Sequence, residues 1–475
     1  MNIFLRSVRL ITWRRFADLI RRSIVFWTLL VLISCASYYQ KNFNFNQAFE
    51  RGDLRGALTT LERSNGDSRG RNRFLYYANM GLLGSILGDY DESNRWLEKA
   101  FLFGEDYRLN YLNEAASYLT NPNFTVYRGE DHEHLMVLYL KAINYLKMNK
   151  PDEALVECRR LSIRLNQLSD KYVSEQKFQR DAFVHTLMGI IYQSTRDYNN
   201  AFIAYRNAAE IYESDYARMF AVAIPEQLKK DLINTAFWTG FQDEYEYYKA
   251  KFCFESYTPA SPESELVFFW HNGLTPVKGE WSINFVMTPQ GDNVVVFHND
   301  DMNLAFPFPL ESDKDKSDLS SLKVFRVAFP RYIERPLYFQ SAALTIDNVK
   351  YPLEIAEDVN KVAFYSLKQR MLQEFTKGLL RAALEKVTEQ SLRKEDDRLG
   401  AVIGLVNAVT EKADTRNWQT LPHSIYYARI PLHEGENKIN FQLEASDRVA
   451  DHSFTYQVKK GQTLFHTFSS LERRY

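Results

Sequence analysis

Between His185 and Tyr212, small and aromatic residues recur at a spacing that two short antiparallel helices satisfy and an extended chain does not. Gly189 and Ala201 fall where the two helices meet, and a small residue at each lets the backbones close on one another. Tyr192, Tyr205 and Ala208 lie at helical intervals around them and fill the contact within the pair and toward the next. Thr195-Arg196-Asp197-Tyr198 is the turn, with Tyr198 closing it. One such pair cannot bury its own apolar face, so the pattern predicts stacked copies.

Copies recur toward the N-terminus. Ala48, Gly52-Asp53-Leu54, Ala57 and Leu61 mark one, and Gly81, Gly88-Asp89-Tyr90, Ser93, Leu97 and Ala100 mark another. Tyr145 and Pro151-Asp152-Glu153-Ala154 mark a third, with Pro early and acids in the first turn, where a helix start favours both. A degenerate fifth pair is expected from Gln227 to Phe252, where Ala236, Trp238, Gly240 and Tyr245 recur. The pattern is similar to the tetratricopeptide repeat (TPR). With Ala57, Ser93, Ala154 and Ala201 as equivalent marks the spacings are 36, 61 and 47 residues, against about 34 in a strict tandem array. The excess, near Asn121-Pro122-Asn123 and from Leu165 to Gln176, is expected as longer helices or loops. Residues 35–256 are thus expected to form a TPR-like α-solenoid whose groove holds other proteins of the same compartment. Taken singly, each of these aromatics is core.

The chain changes character after residue 256. Pro259, Pro262 and three serines between Ser256 and Ser264 mark a linker. Strand patterns follow at Leu266–His271, Trp281–Met287, Asn293–His298, Leu322–Phe329, Leu344–Ile346 and Tyr351–Ile355. They resume at Ser424–Ile430, Lys438–Leu443, Ser453–Lys459 and Thr463–Phe468, with Glu434-Gly435-Glu436 and Lys460-Gly461-Gln462 expected as hairpin turns. Short strands at this interval predict a β-sandwich over 257–475. An apolar stripe through Val362, Leu367, Met371, Leu372, Phe375, Leu379 and Leu380, then a run with Gly400, Ala401, Gly404 and Ala408, predicts a helical hairpin inserted at 359–412. The expected fold is α+β and multidomain: a TPR-like α-solenoid, then a β-sandwich-like domain carrying that hairpin.

After the hairpin comes Asp414-Thr415-Arg416-Asn417-Trp418-Gln419-Thr420-Leu421-Pro422. Together with His271-Asn272-Gly273-Leu274-Thr275-Pro276, it resembles a family of uncharacterised bacterial lipoproteins that join TPR repeats to a C-terminal β-rich domain. The resemblance covers most of the chain and implies an envelope location without an activity. Locally, Asp414 and Arg416 are expected to pair across a turn, Trp418 to cover a sandwich edge and Pro422 to start the returning strand. A structural corner is the plain reading of these four residues and an interaction motif the sharper one.

The N-terminus agrees with export. Six arginines (Arg6, Arg9, Arg14, Arg15, Arg21, Arg22) precede an apolar run from Ile24 to Ile33, which ends in Leu32-Ile33-Ser34-Cys35. Ten residues are too few to span a bilayer, which takes about 20. The ending resembles the bacterial lipobox, which implies a signal peptide over 1–34, cleavage before Cys35 and acylation of its thiol. Stable anchoring follows from several acyl chains where one would not hold. Ala36 follows where inner-membrane retention uses aspartate, so the outer membrane, facing the periplasm, is the expected location. Loss of 1–34 takes Lys+Arg from 59 to 53 and Asp+Glu from 60 to 59, leaving about −6. No basic face for nucleic acid is indicated.

No His-Glu-x-x-His or Gly-Lys-Ser/Thr spelling occurs. Asp131-His132-Glu133-His134 places its histidines two apart, which do not share a helix face. Asp313, Asp315 and Asp318 are interleaved with Lys314 and Lys316 and lack the glycine of a calcium loop. Two cysteines remain beyond Cys35, Cys158 and Cys253, too few for a disulfide scaffold. No metal, cofactor or catalytic group is therefore expected. The first expectation is a lipid-anchored, non-enzymatic interaction scaffold supporting an envelope assembly. The alternative is an envelope glycan-binding protein or hydrolase, with acids and exposed aromatics gathered in a concavity of 257–475.

Overall fold

Side chains that compete for backbone groups set the helix ends. Asp53, Asp181 and Asp197 each accept the backbone N–H three residues on, from Gly56 (2.9 Å), Val184 (2.9 Å) and Asn200 (3.2 Å), and so start a helix. Gly88 (φ 89°) and Gly240 (φ 82°) end helices in the left-handed region, where a side chain would be strained. The computed structural model describes residues 38–64, 69–106, 125–169, 178–259, 264–290, 294–299, 304–309, 324–370 and 413–471. Cys35 and the expected signal peptide lie outside them, as do most of the expected hairpin at 359–412, Asn121-Pro122-Asn123 and Asp313 to Asp318. Among the described residues no helix is long and apolar enough to cross a membrane.

Among the described residues, after a short helix at Tyr38–Lys41, the longer helices form five antiparallel pairs: α1 Phe43–Glu50 with α2 Leu54–Arg63, α3 Arg73–Leu87 with α4 Tyr90–Asp106, α5 Asp131–Lys147 with α6 Pro151–Ser169, α7 Ala182–Ser194 with α8 Tyr198–Ile211, and α9 Glu226–Thr239 with α10 Gln242–Lys251. A Cβ on Gly189 would lie 2.3 Å from the Tyr205 ring, and one on Gly81 2.5 Å from Leu97, so these glycines are the close approaches the spacing predicts. Ala57, Ser93, Ala154 and Ala201 are fully buried.

Twelve strands follow among the described residues: β1 Ser264–Asn272, β2 Val277–Pro289, β3 Val294–Asn299, β4 Leu304–Pro309, β5 Val324–Ile333, β6 Phe339–Ile346, β7 Val349–Pro352, β8 Glu354–Asp358, β9 Ser424–Leu432, β10 Gly435–Ala445, β11 Val449–Val458 and β12 Thr463–Ser470. They form an inner sheet, β12-β1-β9-β8, an outer sheet, β11-β10-β6-β7, and an arm sheet, β4-β3-β2-β5. Helix resumes over 359–370.

Three expectations need correction. The segment Tyr351–Ile355 is two strands, β7 in the outer sheet and β8 in the inner, with the chain crossing at buried Leu353. Neither Glu434-Gly435-Glu436 nor Lys460-Gly461-Gln462 closes a hairpin, because each links strands of different sheets and β12 returns parallel to β1. Gly435 (φ 101°) and Gly461 (φ 77°) serve a sheet-to-sheet arch with the backbone freedom a tight hairpin would use. Strand β4 was not expected, since Pro307 and Pro309 lack the N–H of a ladder, and the structure places it at an edge, where that is tolerated.

The inner sheet is covered on both faces. Leu266, Phe268 and Trp270 of β1 and Ala428, Ile430 and Leu432 of β9 share a core with Phe441, Leu443 and Leu344 of the outer sheet. The alternate residues Val267, Phe269, Ile425 and Tyr427 belong to the core of the helices. The order is helices, inner sheet, outer sheet.

Candidate functional site

The interface between the helices and the inner sheet gathers the charged groups with the most perturbed surroundings. At its centre is Arg429, placed by β9 on the helix side of the sheet and buried. Its Nη1 donates to Gln193 Oε1 (2.7 Å, α7) and Asp231 Oδ1 (2.8 Å, α9), and its Nη2 donates to the Tyr205 hydroxyl (3.2 Å, α8). Glu265 of β1 lies 3.3 Å from its Nε. Burial works against the charge on Arg429, but Asp231 and Glu265 outweigh it and raise its pKa well above the ordinary value.

A second cluster holds the turn after α8. The chain passes there through a π-helical turn, Tyr212–Tyr216, and both tyrosines reach β8. Tyr212 donates to the Ala356 carbonyl (2.7 Å), and Tyr216 lies 2.7 Å from Glu357 Oε2 and 3.0 Å from Asp181 Oδ1. A phenol has one proton to give, so the two carboxyls compete for it. Burial and the neighbouring Asp181 push Glu357 well above the usual carboxylate range, and burial pushes Asp181 up to about 6. On the same strand, Glu354 accepts the first backbone N–H groups of α9, from Glu226 (2.9 Å) and Gln227 (2.8 Å), a favourable position for an anion.

Residues 413–422 form a strap across the first three pairs. Arg416 grips Asp414 through Nε (2.8 Å) and Nη2 (2.6 Å), and its Nη1 donates to the Thr125 carbonyl (2.9 Å). Trp418 is fully buried and its backbone N–H donates to Glu133 Oε1 (2.6 Å). Thr420 donates to Asn79 on α3 (2.6 Å), and Asn46 on α1 donates to Gln419 (3.2 Å). Pro422 is buried just before β9. Glu133 also takes the Tyr127 hydroxyl (2.8 Å); burial nevertheless pushes it up to about 7. Lys278 and Arg370 both pair with Glu130, the residue before α5.

His271, in the second part of the family-like motif, shares a hydrogen bond with the Tyr139 hydroxyl through Nε2 (2.8 Å), and burial lowers its pKa to about 4 and keeps it neutral. His132 is buried with neither ring nitrogen hydrogen-bonded. It lines, with Asp181, Glu357, Tyr139 and Val362, a cavity of about 30 Å³. That admits a water molecule, not a sugar ring. Among the described residues no cluster of three His, Cys, Asp or Glu is set to hold a metal. Cys158 is buried and Cys253 exposed, both free thiols. Gly66-Asp67-Ser68-Arg69-Gly70 carries the Gly-x-Ser-x-Gly spelling. Its Gly66 to Ser68 lie outside the described residues, and the described element before it is helix α2, where a nucleophile elbow needs a strand.

The first helix of every pair therefore carries a contact to the β-rich half: Asn46, Asn79, Glu133, Gln193 and Asp231 lie on α1, α3, α5, α7 and α9. Outward, Leu102, Val156, Ile163, Ile203 and Tyr247 of the second helices are exposed. A cleft of about 540 Å³ opens by α8 and the start of α10, lined by Phe202, Arg206, Gly240, Phe241, Asp243 and Glu244.

No family model and no curated protein matches the sequence. Among solved structures it is similar to MamA at 14% identity, over 45% of this chain and 94% of that one, with a TM-score of 0.29. BtubC from P. vanneervenii is similar at 15% identity, over 46% and 80%, with a TM-score of 0.29. PilF from Pseudomonas aeruginosa is similar at 15% identity, over 43% and 85%, with a TM-score of 0.21. These likenesses are loose.

Proposed function

We propose that the chain is a lipid-anchored protein of the bacterial envelope, held to the outer membrane through Cys35, that serves as an interaction scaffold for an envelope assembly. The observation that carries the scaffold reading is how the two faces of the helical pairs are used. The first helices are engaged by the chain's own inner sheet and strap, while the second helices carry exposed Leu102, Val156, Ile163, Ile203 and Tyr247 beside an open cleft. A contiguous exposed apolar patch marks a place where a protein partner docks, and we place it on these second helices, which belong to successive pairs. The partner surface is thus the outer one, not the groove that the repeat pattern alone suggests. The test is crosslinking in intact envelopes with Ile163→Glu/Ile203→Glu, both at exposed positions. Specific crosslinked partners present for the native chain and lost for the variant support the scaffold; an unchanged partner set removes the outer helices from it. Cys35→Ser checks the anchor, since normal processing and membrane retention of that variant would refute lipidation.

A further inference from the structure

We infer that the first helical pair rests directly on the lipid surface, with Phe43 set into the headgroup layer. The inference rests on the proposed acylation of Cys35 and adds what that anchor does to the body of the protein.

The covalent reach is short. Three peptide steps separate Cys35 from Tyr38, and consecutive Cα atoms are about 3.8 Å apart, so the span is at most about 11 Å. Tyr38 is tied to the body of the protein. Its backbone N–H donates to Thr415 Oγ1 (3.2 Å) on the strap, and its carbonyl accepts both the backbone and the side-chain N–H of Asn42 (3.1 and 3.0 Å). The next residue is held as well, because the Tyr39 hydroxyl donates to Glu50 (3.1 Å). An acylated cysteine sits at the boundary between the hydrocarbon and the headgroups. One headgroup layer is about 5–8 Å thick, half the difference between the full bilayer and its hydrocarbon core. Of the span of about 11 Å, only a few ångströms remain beyond that layer. A body held this close touches the headgroups.

The side chains at that point suit the contact. Gln40, Lys41, Phe43 and Asn44 are exposed within two helical turns of Tyr38, while Phe45 and Phe49 turn inward to the core. Phe43 is 48% exposed although the other two phenylalanines of α1 are buried. An aromatic ring beside a lysine and polar amides is the composition of an interfacial contact, with the ring at the acyl boundary and the ammonium among the phosphates. The occupant we commit to is the bilayer carrying the anchor.

The test is a spin-label depth measurement on the full lipidated chain in vesicles of phosphatidylethanolamine and phosphatidylglycerol. In a Cys253→Ser background, a nitroxide is placed at Phe43→Cys, at Gln40→Cys as a second site, and at Tyr247→Cys on α10 as the aqueous reference. The expected result is a ratio of oxygen to nickel-chelate accessibility several-fold higher at 43 than at 247, with 40 between them. Vesicle-bound protein whose labels at 43 and 40 match the one at 247 overturns the contact and leaves the anchor standing. Protein that fails to bind vesicles overturns the anchor and the contact together.

Discussion

Arg429 separates a charge that stabilises from one that merely survives burial. It faces Asp231 and Glu265 with almost no solvent, and a buried pair gains little over apolar residues of the same volume, whereas breaking one by removing a partner costs about 3–5 kcal/mol. Arg429→Ala is expected to destabilise by that amount in urea unfolding, because two acids stay buried without their cation. Arg429→Met/Asp231→Leu/Glu265→Met should recover most of the loss, and a triple variant as unstable as the single one would show that Arg429 acts by its hydrogen bonds to Gln193 and Tyr205 instead. Asp181 supplies the pH dependence. Burial moves it from 3.8 to about 6, which corresponds to on the order of 3 kcal/mol. A carboxyl with its pKa raised on folding contributes fully below the unfolded value and loses that contribution as pH rises through the folded one. Thermal stability should therefore fall between about pH 4 and pH 6 on this group's account. Asp181→Asn, which keeps a helix-capping oxygen, should flatten that slope. An unchanged slope would assign it to Glu133 or Glu357.

At the scale of elements, legibility followed packing that is local in sequence. The pair α7 and α8 was readable because Gly189 and Tyr205 meet sixteen residues apart, on helices joined by a short turn. Gly189→Ala tests this: Ala is the better helix former by about 1 kcal/mol, yet its Cβ would lie 2.3 Å from a ring pinned by Arg429 and Gln193. Overpacking of this kind costs about 1–3 kcal/mol, so a net loss in the unfolding midpoint is expected, and a gain would mean that Tyr205 moves freely. The strands were readable as strands and not as sheets. Glycine serves a hairpin and an arch alike, so Gly435 and Gly461 did not tell which strand pairs with which. The strap was visible as a motif, but its partners lie hundreds of residues away: Trp418 with Glu133, and Thr420 with Asn79. One signal did announce the layering. Leu266 to Trp270 is an unbroken apolar run, and a strand facing water on one side would alternate.

Across the whole molecule, that run decides how separable the halves are. Val267, Phe269, Ile425 and Tyr427 are fully buried against the helices. Each such side chain is worth about 1.5–3 kcal/mol when covered, and four together rival the 5–15 kcal/mol that typically holds a domain. Arg429 and Glu357 point the same way, so a freed inner sheet would also expose polar groups that now have partners on α7, α9 and the π-helical turn. The linker composition at Pro259 and Pro262 suggests two independent domains; the shared core argues for one cooperative unit. Residues 257–475 expressed alone are expected to bind a hydrophobic dye and to lack a sharp thermal transition, while co-expression with residues 38–256 should restore both solubility and a single transition. Calorimetry of the intact chain makes the same point without cutting it. One endotherm is expected, and two resolved endotherms that match those of the separate halves would show that the inner sheet stands without its helices.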